Sequence, residues 1–359
     1  MTGHITIGGR RIGPGEPAYV IAEMSANHNQ SLDRAVEIVK AAKEAGANAI
    51  KLQTYTPDTL TIDCDNEYFR IKGTLWEDKT LYELYGEAYT PWEWQPELME
   101  VANGLGLDLI STPFDETAVD FLEDIGVPAH KVASFENGDI PLLQKVGSTG
   151  KPVILSTGMA SLDDLEEAVA TLRSSGCREL ALLKCTSAYP ASPADANLQT
   201  IRHLSETFGV PIGLSDHTQG IAVPVAAVAL GASIVEKHFT LSRNDPGPDS
   251  AFSLEPHEFR QMMDAVRDAD VARGKVAYGS IDAEDESRVF RRSLFVVQDV
   301  VAGEAFTLQN VRAIRPGYGL HTRHLPHILG SKASRDVHRG TPLTWELVDR
   351  TGPSPQPGR

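Results

Sequence analysis

A parallel (β/α)8 barrel followed by a small β-rich domain is the fold that this sequence predicts, on three observations. From residue 18 to about 240, a short apolar run ending in polar residues alternates eight times with a segment of helical periodicity. The runs read as buried on both faces, as strands of a parallel sheet covered by helices do. Past an acidic, small-residue stretch at 274–288, GKVAYGSIDAEDESR, the pattern changes to short β-type runs with glycine turns and one helix. A doubly wound open sheet is the competing architecture, but no GxGxxG follows the first run.

The runs are AYVIAE (18–23), AIKLQT (49–54), LDLIST (107–112), HKVAS (130–134), PVILST (152–157), LALLKCT (180–186), PIGLSDH (211–217) and SIVEKHF (233–239). Between them SLDRAVEIVKAAKEAGA (31–47) and SLDDLEEAVATLRSSG (161–176) open on a serine cap, carry apolar residues at three- and four-residue spacing, and stop at glycine. The gap from Tyr55 to Pro91 is too long for an ordinary connection and is expected to form an active-site flap or an interface element. The expected organisation is a barrel at 1–273, a linker at 274–288, a small domain at 289–352 and a disordered Pro/Gly-rich tail at 353–359.

Composition narrows the function. With 359 residues, 41% hydrophobic and 23% charged, the chain can bury a large core. It has no apolar run near the roughly 18 residues that span a bilayer. A net charge of -16 disfavours nucleic acid and anionic membranes as partners. The N-terminus lacks a secretory signal, so a cytoplasmic location is expected. Cys64, Cys177 and Cys185 are widely spaced and read as reduced thiols, without a disulfide framework or zinc knuckle.

Barrel enzymes place their chemistry at the carboxyl ends of the strands. Here those ends hold Glu23; Lys51 and Gln53; Ser111 and Thr112; Lys131 and Ser134; Ser156 and Thr157; Cys185, Thr186 and, just beyond, Tyr189; Ser215, Asp216 and His217; Glu236, Lys237 and His238. Strand ends leave the core, so a single serine or threonine there is expected without any function. Lys51 and Lys131 are different, because an ammonium inside a strand needs an anionic partner. The reading favours an external anion over a structural glutamate. The two lysines with Thr112, Ser134, Ser156 and Ser215 would cradle a phosphate and a carboxylate. A lone strand-end histidine is more often structural. On adjacent strands about 4.8 Å apart, however, His217 and His238 could share a divalent first-row metal, with Glu23, Asp216, Glu236 and Asp249 as the carboxylates at hand.

These residues sit in motifs that resemble the sialic acid synthase family over nearly the whole chain: IAEMSANHN (21–29), KLQTY (51–55), STPFD (111–115), KVASFE (131–136), LSTGM (155–159), KCTSAYP (184–190), GLSDHT (213–218), VEKHFT (235–240), GPD (247–249) and RPGYG (315–319). The resemblance implies a barrel followed by an antifreeze-like (SAF) domain. It also implies an enzyme condensing phosphoenolpyruvate with an N-acylated amino sugar into a nine-carbon 2-keto sugar acid. Carried over residue by residue, it makes His217 and His238 ligands of Mn2+ (or Mg2+ or Co2+). It sets Lys51, Thr112, Lys131, Ser134, Ser156 and Ser215 around phosphoenolpyruvate, with Ser187 where the family often has Asn. Glu23, Gln53, Tyr189 and Asp249 fall at the sugar, and Arg315 reaches into the partner's site of a domain-swapped homodimer. The catalytic set so implied is Glu23, Lys51, His217, His238 and Asp249.

Two departures bear on the sugar. The first motif reads IAEMSANHN in place of the IAEIGxNH form of N-acetylneuraminate synthases, and Trp76 stands near the place of a sugar-contacting Asn. Both are similar to the pseudaminic acid synthases of that family, whose sugar is a 2,4-diacetamido-2,4,6-trideoxy-L-altrose, ahead of the legionaminic and N-acetylneuraminic forms. An aromatic wall suits a 6-deoxy methyl and a second acetamido group, although Trp76 and Trp92 could equally pack the flap alone. Other classes remain open at this point: a barrel lyase using pyruvate, and a carbohydrate- or ice-binding module on the small domain.

Overall fold

The computed structural model describes residues 3–73, 76–77, 79–245, 247–279 and 281–349; the tail expected at 353–359 and Thr74 and Leu75 of the flap lie outside the described residues. The chain divides into two compact units, Met1–Gly274 and Lys275–Arg359.

The first unit begins with an antiparallel hairpin, β1 (Ile5–Ile7) and β2 (Arg10–Ile12). A two-residue turn of this kind takes positive φ at both central positions, which Gly8 (φ 54) and Gly9 (φ 79) supply. Eight strands follow: β3 (Tyr19–Glu23), β4 (Ala49–Thr54), β5 (Asp108–Pro113), β6 (His130–Val132), β7 (Val153–Ser156), β8 (Leu180–Cys185), β9 (Ile212–Asp216) and β10 (Ile234–His238). Each pairs in parallel with the next, and β10 pairs with β3 to close the barrel. Helices Leu32–Glu44 and Leu162–Ser174 start where the sequence places them: Ser31 accepts the Arg34 N–H, and Ser161 and Asp164 form a capping box.

The period-two alternation of a strand then decides what faces the barrel interior. Ile21, Ala49, Ile110, Ala129, Ile154, Leu183 and Ile234 point inward and form one apolar cluster with Ile5, Ile7 and Ile12 of the hairpin. Two residues further along the same faces come Glu23, Lys51, Thr112, Lys131, Ser156, Cys185 and Glu236, all buried. One end of the barrel is therefore plugged with hydrocarbon and the carboxyl end carries the polar groups. The alternate positions, among them Val20, Ile50, Leu109, Val153, Leu182 and Val235, pack outward against the helices. Asp216 and Lys237 belong to that outward set: Lys237 donates to Asp216 at 2.5 Å and to the Thr218 carbonyl, with 0% of its surface exposed. Asp216 is consequently not available to a metal inside the barrel, contrary to its place among the candidate carboxylates.

The 55–91 insertion holds helices Pro57–Leu60 and Leu81–Ala88, the second opened by a Thr80/Glu83 capping box. The second unit has an antiparallel pair, β11 (Ser293–Val296) and β12 (Val311–Ile314), and a short helix Leu325–Ile328 around a core of Leu294, Val296, Phe306, Val311, Ile328 and Leu343. Among the described residues no helix is long and apolar enough to cross a membrane.

Candidate functional site

The polar end of the barrel opens into a cavity of about 360 Å³, a volume in the range of small-molecule sites. Its floor is a buried charge cluster set by strand register. Glu23 on β3 is paired with Lys51 of β4 on one side and His238 of β10 on the other. Lys51 Nζ lies 3.1 Å from Glu23 Oε2 and 3.4 Å from Glu236 Oε1, and donates to Thr112 Oγ1 at 3.3 Å. Burial opposes this ammonium, but the two carboxylates outweigh it and hold Lys51 above the usual lysine range. Burial lifts Glu23 against the pull of Lys51, whereas Glu236, also buried, is held below the carboxylate range by Lys131 and Lys51. Lys131 has the weaker compensation. Glu236 Oε2 is 4.0 Å away, its hydrogen bonds go to Ser156 Oγ (2.6 Å) and the Val132 carbonyl (2.9 Å), and burial brings its pKa down. Both lysines thus have carboxylate partners within the barrel, so the external anion favoured from sequence is not required by their burial alone.

Hydroxyls complete this half of the cavity. Ser134 Oγ accepts the Gly158 N–H at 3.1 Å, and Ser215 donates to Glu236 Oε1 at 3.2 Å. A Cβ at position 158 would come within 2.3 Å of Ser187 Oγ and 2.6 Å of Ser134 Oγ, so glycine is what lets those two hydroxyls converge.

The opposite chemistry lines another part of the wall. Gln53 Nε2 donates to Glu23 Oε1 and to Ser25 Oγ, both at 2.9 Å, and Ser25 donates to Asp249 Oδ2. Burial raises the Asp249 pKa against the hydrogen bond from Ser25. Ser25 holds a left-handed φ of 47, a conformation costing a non-glycine residue about 1–2 kcal/mol. The flap supplies an apolar surface of Leu60, Ile71, Trp76, Leu81, Leu84 and Tyr85. Trp76 donates its indole N–H to the Pro248 carbonyl at 3.1 Å, and its ring lies 6.0 Å from that of Tyr189.

His217 and His238 meet with ring centroids 5.3 Å apart, and the Tyr189 ring lies 4.4 Å from that of His217. His217 Nδ1 is 2.9 Å from the Thr186 carbonyl, which holds a proton there, so that the neutral ring presents its Nε2 lone pair. His238 is kept neutral by burial and by His217, and its buried Nδ1 has no hydrogen-bond partner. Burial opposes charge on His217, but Cys185 and the Thr186 carbonyl outweigh it and raise its pKa, so a divalent cation shared by the two imidazoles would displace a proton from this ring. No group of three His, Cys, Asp or Glu among the described residues is placed to hold one alone, so solvent or substrate would supply the remaining ligands. Replacing either histidine by alanine is expected to weaken divalent-cation binding by about tenfold to a hundredfold or more, since loss of a mere second-sphere partner costs that much, measured by titration calorimetry on the folded protein with Mn2+ as the probe. Unchanged affinity in both variants would remove the site.

A model of the NeuB family matches residues 38–278 and one of the SAF domain matches 291–349. The chain belongs to the NeuB family. It is 44% identical over 338 residues to the pseudaminic acid synthase of Helicobacter pylori, covering 94% of this chain and 99% of that protein. It is 38% identical over 336 residues to the N,N'-diacetyllegionaminic acid synthase of Legionella pneumophila, covering 92% and 94%. The crystal structure of an N-acetylneuraminic acid synthetase from Leptospira borgpetersenii in complex with citrate superposes with a TM-score of 0.72 at 33% identity, covering 80% of this chain and 95% of that one.

The fold joins most of the expected residues in the one cavity: Glu23, Lys51, Gln53, Trp76, Lys131, Ser134, Ser156, Tyr189, Ser215, His217, His238 and Asp249 all line it. Thr112 lies behind Lys51, and Ser187 sits beside Cys185 with Oγ 3.9 Å from Sγ. Arg315 is exposed just after β12 in the second unit. Two lining groups carry chemistry to which the sequence reading assigned no role. The Cys185 thiol is buried, yet His217, Ser134 and Lys131 more than offset this and bring it down to about 7. Glu136 follows Ser134 in the 3-10 turn Ser134–Glu136; burial pushes its carboxyl up to about 7 against Lys131, and its Oε2 is sealed without a hydrogen-bond partner. The glutamate in KVASFE, two residues past a candidate serine, was the available signal.

Proposed function

We propose that the protein condenses phosphoenolpyruvate with a 2,4-diacetamido-2,4,6-trideoxy-L-altrose and water, giving pseudaminic acid and phosphate; the relatives at 44–45% identity are named pseudaminic acid synthases. The observation that carries this reading is the division of one cavity into two chemistries. Lys51, Lys131, Ser134, Ser156 and Ser215 offer charge and hydroxyls to the phosphate and carboxylate of phosphoenolpyruvate. Leu60, Ile71, Trp76, Leu81 and Leu84 offer hydrocarbon to a sugar bearing a deoxy methyl and two acetyl methyls. A polar hexosamine would leave that flap surface unmatched.

In the reaction, C3 of phosphoenolpyruvate attacks the sugar aldehyde, forming the new C–C bond and an alkoxide that takes a proton. A divalent cation held by His217 and His238, when bound, supplies Lewis acidity toward that carbonyl. Lys51 and Lys131 hold the enolphosphate in line and stabilise negative charge in a site shielded from water. Water then adds at C2, and cleavage of the C2–O bond releases inorganic phosphate. Glu136, near neutrality and with an unsatisfied oxygen, is suited to accept the proton of that water. Tyr189, Gln53, Glu23 and Asp249 orient the sugar, and Arg315 of a second copy is proposed to complete its site.

Mass spectrometry of the products from phosphoenolpyruvate with the diacetamido altrose, its legionaminate counterpart or N-acetylmannosamine tests the reading. A dominant pseudaminate product is expected. Preferential turnover of either other sugar would overturn the assignment.

A further inference from the structure

Ser25 is the first residue of the turn Ser25–His28 that leaves β3, and it combines two features that seldom occur together. Its backbone is left-handed (φ 47) although it is not glycine, and it is buried, with 2% of its surface exposed. Such strain persists only where surrounding interactions hold it, and it concentrates at functional sites. Here the hydroxyl is the hub of the holding interactions: it donates to Asp249 Oδ2 and accepts from Gln53 Nε2 at 2.9 Å. The second amide hydrogen of Gln53 goes to Glu23 Oε1, also at 2.9 Å. With both of its hydrogens used, Gln53 has only its carbonyl oxygen left to offer a ligand. Asp249 is fixed by the serine hydroxyl together with the neighbouring Ala26 N–H. Glu23, Gln53 and Asp249 all line the cavity, and each is an acceptor there, so this wall suits O–H and N–H donors and repels anions.

We propose that Ser25 is a positioning residue for sugar specificity, setting the Asp249 carboxylate and the Gln53 carbonyl as a rigid pair of acceptors for the N–H of the second acylamino substituent, which N-acetylmannosamine lacks. This rests on the sugar reading given above and deepens it. A sugar hydroxyl rotates about its C–O bond to find an acceptor. A secondary amide is planar, with its N–H direction fixed by the ring carbon that carries it. Acceptors locked in place therefore favour the acylamino sugar, and acceptors set loose lose that preference.

The test uses the full-length enzyme and its Ser25→Ala and Ser25→Gly variants. Phosphate release is followed with 2,4-diacetamido-2,4,6-trideoxy-L-altrose and with N-acetylmannosamine. Alanine removes the hydroxyl and keeps a Cβ; glycine removes the hydroxyl and accepts the positive φ freely. Both variants should raise the KM for the diacetamido sugar about tenfold, the loss of one hydrogen bond to a charged group. KM for phosphoenolpyruvate should stay at the wild-type value, and the kcat/KM preference for the diacetamido sugar should fall by a similar factor. An effect in alanine but not in glycine would assign Ser25 to backbone geometry and overturn the proposal, as would KM values that rise equally for both substrates or do not move. A wild-type enzyme that prefers N-acetylmannosamine overturns the reading of the sugar. In that case Ser25 still stands or falls on whether the variants lower kcat/KM for the diacetamido sugar relative to N-acetylmannosamine. A wild type that turns over neither sugar overturns both.

Discussion

Lys51→Met should lower kcat/KM by about a thousandfold or more, the effect of removing a preorganised charge from a water-excluded site, and should also destabilise the fold. The second effect arises because Lys51 is the cation between Glu23 Oε2 (3.1 Å) and Glu236 Oε1 (3.4 Å), and all three are buried. Removing one member of such a cluster leaves uncompensated charge and typically costs 3–5 kcal/mol. Without the ammonium, burial and mutual repulsion raise the pKa values of the two carboxyls in the folded state. The lost stability should then return as pH falls below those raised values and deepen as pH rises through them, read from urea unfolding at pH 5 and pH 8. A double variant, Lys51→Met with Glu236→Gln, separates the two roles: stability should recover while turnover does not. Recovery of turnover in the double variant would mean that Lys51 serves only to neutralise Glu236.

A second large effect is expected at Glu136. Glu136→Gln should reduce kcat by about a hundredfold to ten-thousandfold, the usual range for a positioned acid–base group. The limb of the pH–rate profile near 7 should disappear with it. Stability should move the other way. The folded-state pKa of about 7 stands above the ordinary carboxyl value of 4.5. Between those values the native state keeps a proton that the unfolded chain has released, so stability declines as pH rises through the window. Above 7 the full penalty, about 3 kcal/mol, is in force. The Gln variant should accordingly be more stable than wild type at pH 8 by up to that amount and equal to it at pH 4. Equal stability at both pH values, with an unaltered rate profile, would show that the carboxyl is neither perturbed nor used.

What the sequence made legible follows from strand physics. Eight apolar runs with polar ends located the barrel and its chemical rim, and serines before amphipathic segments located helix starts, because both signals are local. Sorting the rim residues needed the parity of each strand as well. Asp216 and Lys237 are the chain neighbours of His217 and His238 at the rim, yet alternation turns them outward into an ion pair of their own. Glu136 escaped for the complementary reason. The chain leaves β6 at Val132 and enters a 3-10 turn, so period-two counting stops before the residue that reaches the cavity. Within the flap, the Thr80/Glu83 capping box was readable as T-x-x-E ahead of Leu84. Which flap side chains would face the cavity was not, since that depends on contacts such as Trp76 with Pro248, far apart in sequence. The N-terminal hairpin was overlooked although its signal, I-T-I-G-G-R-R-I, is short-range.

That hairpin also bears on how the chain is made. Ile5, Ile7 and Ile12 are made well before Ile154, Leu183 and Ile234, which are among their apolar partners. During most of translation the three isoleucines and two short, unpaired strand edges have nothing to cover them, a state that invites aggregation and chaperone capture. Only when β10 has been synthesised can the ring close and the plug seat, so the hairpin waits for the last strand of its unit. Expression yield should therefore respond more sharply to polar substitutions at Ile234 than to equally buried outward positions such as Val153.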